Sequence, residues 1–418
     1  MDLSSALHRL RQQLLSLTQP RPGVHCLSTP FVARENGLAW LAAQPVWPQF
    51  YWQPREGQSR LLGLGEVQRC ETVEAATMLI KKLPRQGCLL GATRFGLDGC
   101  YLFLPRLLWR GDELLLFLHN DVPQALQLLD RLQPACSLAP LPAAPQNVSH
   151  CPEQDGWSRS VTLALNAIQQ GEMEKVVLAR ATDLRFNSPV SAASLLAASQ
   201  QLNHHCYHFL LAFDAERAFT GSSPERLYRR QQLALSSEAL AGTCAVAADP
   251  DQALQLAQAL LGDEKNRREN EMVVADICQR LQPVANDVAV SPVEVVRLQR
   301  VQHLRRRLQC RLLRPDDLLC LQQLQPTAAV AGLPRQPARQ FIASHEPFSR
   351  EWYAGSVGYL AAEESEFSVA LRSAWVTGET VRLYAGAGIV AGSDPAQEWQ
   401  EINQKAASLG ALLGWKPH

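Results

Sequence analysis

The segment 381–405 constrains the fold of this chain more than any other. It predicts a short apolar strand that runs into a glycine pair, Gly386 and Gly388, followed by a polar turn and a helix. Three charged residues of that helix share one face: Glu398, Glu401 and Lys405. Glycine lets backbone N–H groups approach an anion closely, and carboxylates one turn apart can hold Mg²⁺. The pattern therefore indicates a site for a small anion and a hard cation, although a plain turn and a solvated helix would give the same residues.

Composition limits the class of protein. The 418 residues suffice for two or three domains or one large one, and 46% are apolar, enough for a sizeable core. Basic and acidic residues number 40 each, without the basic face that nucleic-acid binding needs. Eleven cysteines without a CxxC pattern indicate free thiols in a reducing compartment. No apolar run has the length of a signal peptide or a membrane span, so we expect a cytoplasmic protein that does not contact a membrane.

Periodicity predicts an α+β fold with large antiparallel sheets. Residues 1–18 have helical spacing, short strands and helices alternate after them, and residues 251–282 are mostly helical. Two late strands, EFSVALRSAWV and TVRLYAGAGIV, meet at Thr377-Gly378-Glu379 and predict a hairpin. A proline-rich connection at 139–152 is a candidate boundary. We expect an N-terminal portion, 1–150, that completes the fold and a catalytic portion, 151–418, within one large integrated domain.

Three residues are candidates for a general base, a general acid and a group that binds an anion. Lys175 opens an apolar strand, where burial would favour the neutral amine, a usable base; a lysine at a strand end more often reaches solvent. Glu225 lies in a tight turn and suits a general acid, or else it pairs with an arginine. Arg372 lies inside a strand pattern of alternating apolar residues and needs a buried partner, for which a substrate carboxylate is one candidate.

Small residues and a charged helix add weaker candidates. Gly242 and Thr243 end a strand where a ligand can pack against backbone and receive the threonine hydroxyl, although an ordinary loop reads the same way. His303 lies in an apolar context, where a histidine is more often a satisfied core residue than a ligand. One glutamate of a charged helix would complete a magnesium cage with Glu398 and Glu401, and the residues alone do not choose among them: Glu264, Glu269 and Glu271.

Taken together, ten segments are far more specific than any one of them. In chain order they read KVVLAR, GSSPERL, EALAGT, DEKNRREN, VQHL, QLQPTAAVAGLP, WYAGSVGYL, ALRSA, YAGAGIV and EWQEINQKA. This series resembles the chorismate-utilising enzymes: isochorismate synthases, salicylate synthases and the large components of anthranilate and aminodeoxychorismate synthases. The amino-terminal segments WPQFYWQ and LPRLLWR resemble the menaquinone-pathway isochorismate synthases and extend the likeness over nearly the whole chain. The resemblance implies that the antiparallel sheets form a sandwich with helices packed outside.

The resemblance also implies a role for each matching residue. Lys175 would activate water for attack at ring carbon C2, and Glu225 would protonate the departing C4 hydroxyl. Glu269 and Glu401 would hold Mg²⁺, which neutralises the ring carboxylate of chorismate, with Glu398 as a nearby acid acting through water. The remaining residues would contact the substrate: Gly242 and Thr243 near the C4 hydroxyl, His303, Thr327 and Lys405 around the ring and its carboxylate, and Tyr353, Arg372 and the Gly386 backbone at the enolpyruvyl carboxylate.

Departures within the superfamily narrow the expected activity. Aminodeoxychorismate synthases carry a nucleophilic lysine where this chain has Ala241, and anthranilate synthases carry glutamine at the Lys175 position and use a glutaminase partner. The resemblance therefore implies a Mg²⁺-dependent isochorismate synthase, an isomerase of menaquinone biosynthesis, monomeric and without a glutaminase subunit. A siderophore-pathway isochorismate or salicylate synthase remains open, since salicylate synthases keep residues like Lys175 and Glu225 at both positions. Retention of every acid, base and metal position argues against a non-catalytic binding protein.

Overall fold

The structure is a computed structural model that describes residues 1–17, 22–32, 36–56, 59–247, 249–298 and 301–416. The predicted end of the first helix at residue 18 lies outside these ranges. The helices are α1 Leu3–Leu15, α2 Gly37–Ala42, α3 Val73–Ile80, α4 Val122–Arg131, α5 Gln154–Gln169, α6 Ala192–Leu202, α7 Pro250–Gly262, α8 Glu264–Leu281, α9 Asp317–Leu324, α10 Arg335–His345 and α11 Pro395–Gly410, followed by a 3₁₀ turn at Ala411–Leu413.

The strands pair antiparallel throughout. In the first part of the chain they are β1 His25–Pro30, β2 Gln49–Gln53, β3 Leu61–Cys70, β4 Cys88–Thr93, β5 Cys100–Arg110, β6 Glu113–Leu118, β7 Asn147–Cys151, β8 Lys175–Arg185, β9 Tyr207–Ala212 and β10 Arg217–Ser223. They continue with β11 Arg226–Gln231, β12 Ala234–Ala245, β13 Ala289–Val290, β14 Glu294–Arg297, β15 Val301–Arg311, β16 Gly332–Leu333, β17 Ser356–Ala361, β18 Glu364–Val369, β19 Ser373–Thr377 and β20 Thr380–Val390.

Two arms of the sheet meet at β5. This long strand pairs with β3 on one side and with β4 and β6 on the other. The first arm continues from β3 through β2, β9, β10, β19 and β20 to β8. The second continues from β4 through β17, β18, β11 and β12 to β15. This topology confirms the predicted α+β class with large antiparallel sheets.

One apolar core forms between the arms. Trp52 and Tyr207 of the first arm belong to the same buried cluster as Tyr228 and Phe367 of the second. A second cluster packs α5 and α11 against the outer side of β8 and β20, with Trp157 and Ile402 among its fully buried members. The expected sandwich with helices outside follows from these two layers, because each sheet face buries its own set of side chains.

Strand pairing crosses the expected boundary near residue 150. β2 pairs with β9 and β4 pairs with β17, so strands that precede residue 150 lie next to strands that follow it. The proline-rich connection itself contributes β7, which pairs with β8. These contacts agree with one integrated domain, while the division into two portions stays a prediction.

Two expectations about individual elements differ from the structure. The strand predicted to contain Arg372 is divided into β18 and β19, because Arg372 has a φ of +48°, which extended strands do not adopt. The helical stretch 251–282 is interrupted at Asp263, whose side chain caps α8 by accepting the N–H of Asn266 at 2.8 Å. The predicted hairpin is confirmed: Thr377 pairs with Thr380, and Gly378 takes the left-handed conformation that the turn needs.

All eleven cysteines are free thiols in the structure, as their number and spacing predict. Among the described residues, no helix combines the length and the apolar character that crossing a membrane demands.

A buried ion pair joins the second arm to α9. Arg230 of β11 holds both carboxylate oxygens of Asp317, at 2.9 and 2.6 Å, and Tyr228 donates to the same carboxylate at 3.0 Å. Both side chains are almost inaccessible to solvent. Removing one partner of such a pair leaves the other charge buried without compensation.

We predict that Asp317→Asn lowers the free energy of unfolding by about 3 kcal/mol, since it leaves the Arg230 guanidinium short of a counter-charge. Denaturant-induced unfolding followed by circular dichroism measures this change. A variant as stable as the parent protein would mean that the pair contributes nothing.

Candidate active site

A cavity of about 350 Å³ opens where β8, β12 and β20 end near α8 and α11. Most of the predicted site residues line it: Glu225, Gly242, Thr243, Glu269, His303, Tyr353, Arg372, Gly386, Glu398, Glu401 and Lys405. Residues up to 180 positions apart in sequence thus converge on one space. Such a polar, concave space with several ionisable groups is typical of a catalytic site.

Lys175 lies directly behind this wall and is fully buried. Its ammonium donates to Oε1 of Glu269 at 2.8 Å, so the predicted base and a predicted metal ligand form an ion pair. Gly388 makes the pairing possible: a Cβ there would lie 2.8 Å from Glu269 Oε1 and 3.0 Å from Lys175 Cε. The second glycine of the opening motif therefore provides room for two buried charges.

Helix α11 supplies the other charged wall. Asp394 caps its start by accepting the N–H groups of Ala396 and Gln397. One turn further on, Glu401 pairs with Lys405 at 2.5 Å, and Lys405 also donates to the Gly386 carbonyl at 2.9 Å. The predicted shared face of the helix is confirmed, because its two acids and its lysine all reach the cavity.

Glu398 is the third acid of this wall. It is buried, and Lys265 at the start of α8 approaches it to 3.7 Å. Burial is the main cause that raises the pKa of Glu398, and the negative charge of Glu401 raises it further. Like charges thus crowd this end of the cavity.

The carboxylates suit a hard divalent cation in chemistry but are not gathered around one point. Among the residues that the structure describes, no three His, Cys, Asp or Glu side chains stand close enough together to hold a metal ion. Glu269 and Glu401 each contact a lysine; burial and then the charge of Glu401 raise the pKa of Glu398, and a bound cation would offset both effects. The donor set therefore fits Mg²⁺ if the carboxylates turn from their lysines towards the ion.

Glu225 faces the same cavity from the turn between β10 and β11. The turn is fixed by Ser223, whose hydroxyl accepts the Glu225 N–H and donates to the Val369 carbonyl. Among the described residues, Oε1 of Glu225 has no hydrogen-bond partner. Burial, and secondarily the charge of Glu238, raise the pKa of Glu225 well above its ordinary value of 4.5. The raised pKa favours the protonated carboxyl, the form that a general acid has to take.

A hydrogen-bonded chain lines the opposite side of the cavity. Arg372 Nη2 lies 3.3 Å from His303 Nε2, and His303 Nδ1 lies 3.0 Å from the Thr243 hydroxyl. Burial, and then the charge of Arg372, lower the pKa of His303 well below 6.5, so the ring is neutral. A guanidinium only donates, hence Nε2 accepts and the proton sits on Nδ1, which donates to Thr243. The Thr243 hydroxyl keeps its own proton for a ligand oxygen.

Arg372 has no carboxylate partner among the described residues, which leaves part of its guanidinium available to an anion. Beside it, Tyr353 stacks on Tyr384 with 5.0 Å between ring centroids. Burial raises the pKa of Tyr353 to about 12, so its hydroxyl remains a hydrogen-bond donor. A Cβ on Gly386 would lie 2.9 Å from that hydroxyl, which explains the glycine.

Thr327, like Lys175, is a predicted site residue that does not itself line the cavity. It is buried, its carbonyl accepts the N–H groups of Val330 and Ala331, and its hydroxyl has no partner in the described part of the chain. Ala329 and Val330, just beyond it, line the cavity instead. Its role towards a ligand stays a prediction.

The sequence reasoning missed several lining residues at the start of α8. Asn266 accepts the Thr243 N–H at 3.0 Å and packs against Gly242, whose φ of +83° and close contacts require glycine. Lys265 approaches Glu398 from the same turn. Helical spacing carries the missed signal, since Lys265 and Asn266 precede Glu269 by four and three positions and so share its face.

Comparisons with known proteins bear on the same site. Residues 98–414 match a family model described as chorismate binding enzyme. The chain is 49% identical to the isochorismate synthase MenF of Escherichia coli, with 99% of each chain covered, and 40% identical to that of Pasteurella multocida, with 90% of each covered. The solved structure of the Escherichia coli protein, a menaquinone-specific isochorismate synthase, matches with a TM-score of 0.94 over 99% of this chain and 100% of that chain.

We predict that Glu225→Gln flattens the pH dependence of stability. Above about pH 5 the unfolded carboxyl loses its proton while the folded one keeps it, so each further pH unit costs the folded protein about 1.4 kcal/mol until the raised pKa is reached. Glutamine removes this loss, and the variant gains stability relative to the parent as the pH rises. Unfolding free energies between pH 5 and 8 test this, and parallel profiles would contradict a protonated Glu225.

Proposed function

The chain belongs to the chorismate-binding enzyme family, and we propose that it converts chorismate to isochorismate for menaquinone biosynthesis. The observation that carries the proposal is the pairing of two groups at one cavity: the buried carboxyl of Glu225, whose pKa is raised, and Lys175, behind the facing acid Glu269. An isomerase that exchanges a hydroxyl between two ring carbons needs an acid for the departing group and a base for the entering water.

The charges of the cavity suit a substrate with two carboxylates. Arg372, without an ion-pair partner among the described residues, supports binding of the enolpyruvyl carboxylate, with the Tyr353 hydroxyl as a second donor. Lys405 at the other end supports binding of the ring carboxylate. The Thr243 hydroxyl, kept as a donor by His303, suits the C4 oxygen.

The proton balance of the reaction needs no other reactant than water. Water adds to C2 while Lys175, in its neutral form, accepts a proton from it. The ring double bonds move from C1=C2 and C5=C6 to C1=C6 and C4=C5, and the C4–O bond breaks. Glu225 donates its proton to the leaving hydroxyl, which departs as water. One water enters and one leaves, so chorismate and isochorismate are isomers.

Mg²⁺ is proposed as the cofactor, held by Glu269 and Glu401, with Glu398 nearby. When bound, the ion would neutralise the ring carboxylate of the substrate. In this proposal Glu269 turns away from Lys175 and Glu401 from Lys405, which leaves both lysines to face the substrate. Without the ion, the positive charges of Lys175 and Lys405 balance the negative charges of Glu269 and Glu401.

We also propose the nucleophile, the oligomeric state, the cellular compartment and the pathway. Lys175 and the space before it favour water as the nucleophile, so we propose an enzyme that works without a glutaminase subunit and as a monomer. Eleven free thiols support a reducing compartment, the cytoplasm. The menaquinone pathway is favoured over a siderophore pathway by the relatives, which match over nearly the entire chain.

We predict that the purified protein with Mg²⁺ forms isochorismate from chorismate and reaches an equilibrium mixture from either side. Chromatography with ultraviolet detection separates the two compounds. A chelator abolishes turnover and Mg²⁺ restores it. Release of pyruvate together with fluorescent salicylate would identify a salicylate synthase instead, and absence of any conversion would refute the proposal.

We predict that Lys175→Ala lowers kcat by about 10²–10⁴-fold, the usual contribution of a positioned base, and leaves chorismate binding within a few-fold. A small primary amine such as methylamine fits the space vacated by the side chain and partly restores turnover. The same amine leaves the parent enzyme unchanged, which is the control. Undiminished turnover in the variant would exclude Lys175 as the base.

A further inference from the structure

We propose that Arg55 and Glu238 position Glu225 and set the pH range in which it works as an acid. This inference rests on the proposed function, because it concerns the acid of the same reaction. Neither residue lines the cavity, so both would act through Glu225 and not on the substrate.

The two residues form a buried, two-pronged ion pair. Arg55 Nη1 donates to Glu238 Oε1 at 2.8 Å and Nη2 donates to Oε2 at 2.9 Å. Only 5% and 1% of the respective side chains are exposed. Arg55 follows β2, whereas Glu238 lies in the middle of β12, so the pair joins the first arm of the sheet to the second. Such parallel hydrogen bonds fix the relative orientation of both groups.

The two residues of the pair hydrogen-bond the backbone on both sides of Glu225. Arg55 Nη1 also donates to the carbonyl of Pro224 at 2.6 Å, immediately before Glu225. Glu238 Oε1 accepts the backbone N–H of Arg226 at 2.6 Å, immediately after it. The peptide groups next to the acid are therefore held by one ion pair, and its loss would release the backbone that aims the carboxyl.

Charge gives the pair a second influence on Glu225. Four charged groups surround that carboxyl: Glu238 from β12, Lys175 from β8, Arg55 from the segment after β2 and Lys405 from α11. Burial is the main cause that raises the pKa of Glu225; the charge of Glu238 raises it further, and the three cations lower it, Lys175 most. Arg55 and Arg305, the latter 3.8 Å from Glu238, both form ion pairs with the Glu238 carboxylate. A charged Glu238 thus preserves the proton on Glu225 against its cationic neighbours.

Arg55 comes from outside the residues that match the family model, 98–414. The amino-terminal portion therefore contributes to the chemistry of the site as well as to the sheet. It contributes the Arg55 guanidinium, which hydrogen-bonds the turn that carries Glu225. Arg55 lies 169 and 183 residues before its two partners, Pro224 and Glu238.

Glu238→Gln tests the inference. It keeps the shape of the side chain and removes its charge, so Glu225 loses its proton more readily. The alkaline limb of the kcat–pH profile, where activity falls as Glu225 ionises, moves down by about one pH unit. Adding Arg55→Met removes an opposing cation, and the limb of the double variant lies between those of Glu238→Gln and the parent. KM for chorismate stays within a few-fold in both.

The matched control is Asp317→Asn, which neutralises the acid of another buried Arg–acid pair, neither residue of which lines the cavity. It lowers stability and leaves the pH profile in place. If the parent enzyme converts chorismate but the alkaline limb of Glu238→Gln does not move, this inference is refuted and the proposed function stands. A parent enzyme without that activity would refute the proposed function. If Glu238→Gln does not fold, the double variant, which leaves neither charge unpaired, decides: its limb has to lie below that of the parent.

Discussion

The pairing of β8 with β20 is the constraint on which the site depends. Eleven residue pairs run in unbroken register from Thr380 and Arg185 to Val390 and Lys175. This register sets Lys175 beside Gly388 and delivers the chain, at the end of β20, to the helix that carries Glu398 and Glu401. A shift by one residue would turn Lys175 to the other sheet face and replace the glycines by bulkier neighbours. The proposed base, the space for its partner and the proposed metal ligands thus depend on a single strand pair.

The charged side chains in and behind the cavity wall neutralise one another. Glu269 and Glu401 each pair with a lysine, Glu238 pairs with Arg55, and burial raises the pKa of Glu225, which favours its neutral form. Isolated charges at this depth would cost several kcal/mol each, so every acid is paired or neutral. The charged groups at the cavity therefore compensate one another in the structure, and the proposed substrate and cation would replace these contacts.

Much of the site could be predicted from sequence, and the reasons differ by residue. Spacing alone placed Glu398, Glu401 and Lys405 on one helix face, because three- and seven-residue steps are local. The roles of Lys175, Glu225 and Glu269 came from resemblance, since nothing local selects Glu269 over its neighbours. The break of the strand at Arg372 was missed because an alternating apolar pattern does not record a positive φ. The contact of Arg55 with Glu238 was beyond prediction, as it depends on the register of strands far apart in the chain.

The position of Glu225 at the passage from β10 to β11 has a mechanical consequence. β10 belongs to the first arm of the sheet and β11 to the second, so the acid stands where the chain crosses between them, while Lys175 lies wholly in the first. Any sliding of one arm over the other alters the gap between proton donor and proton acceptor. The packing of Trp52, Tyr207 and Phe367 in the core between the arms therefore sets the distance between Glu225 and Lys175, the proposed acid and base.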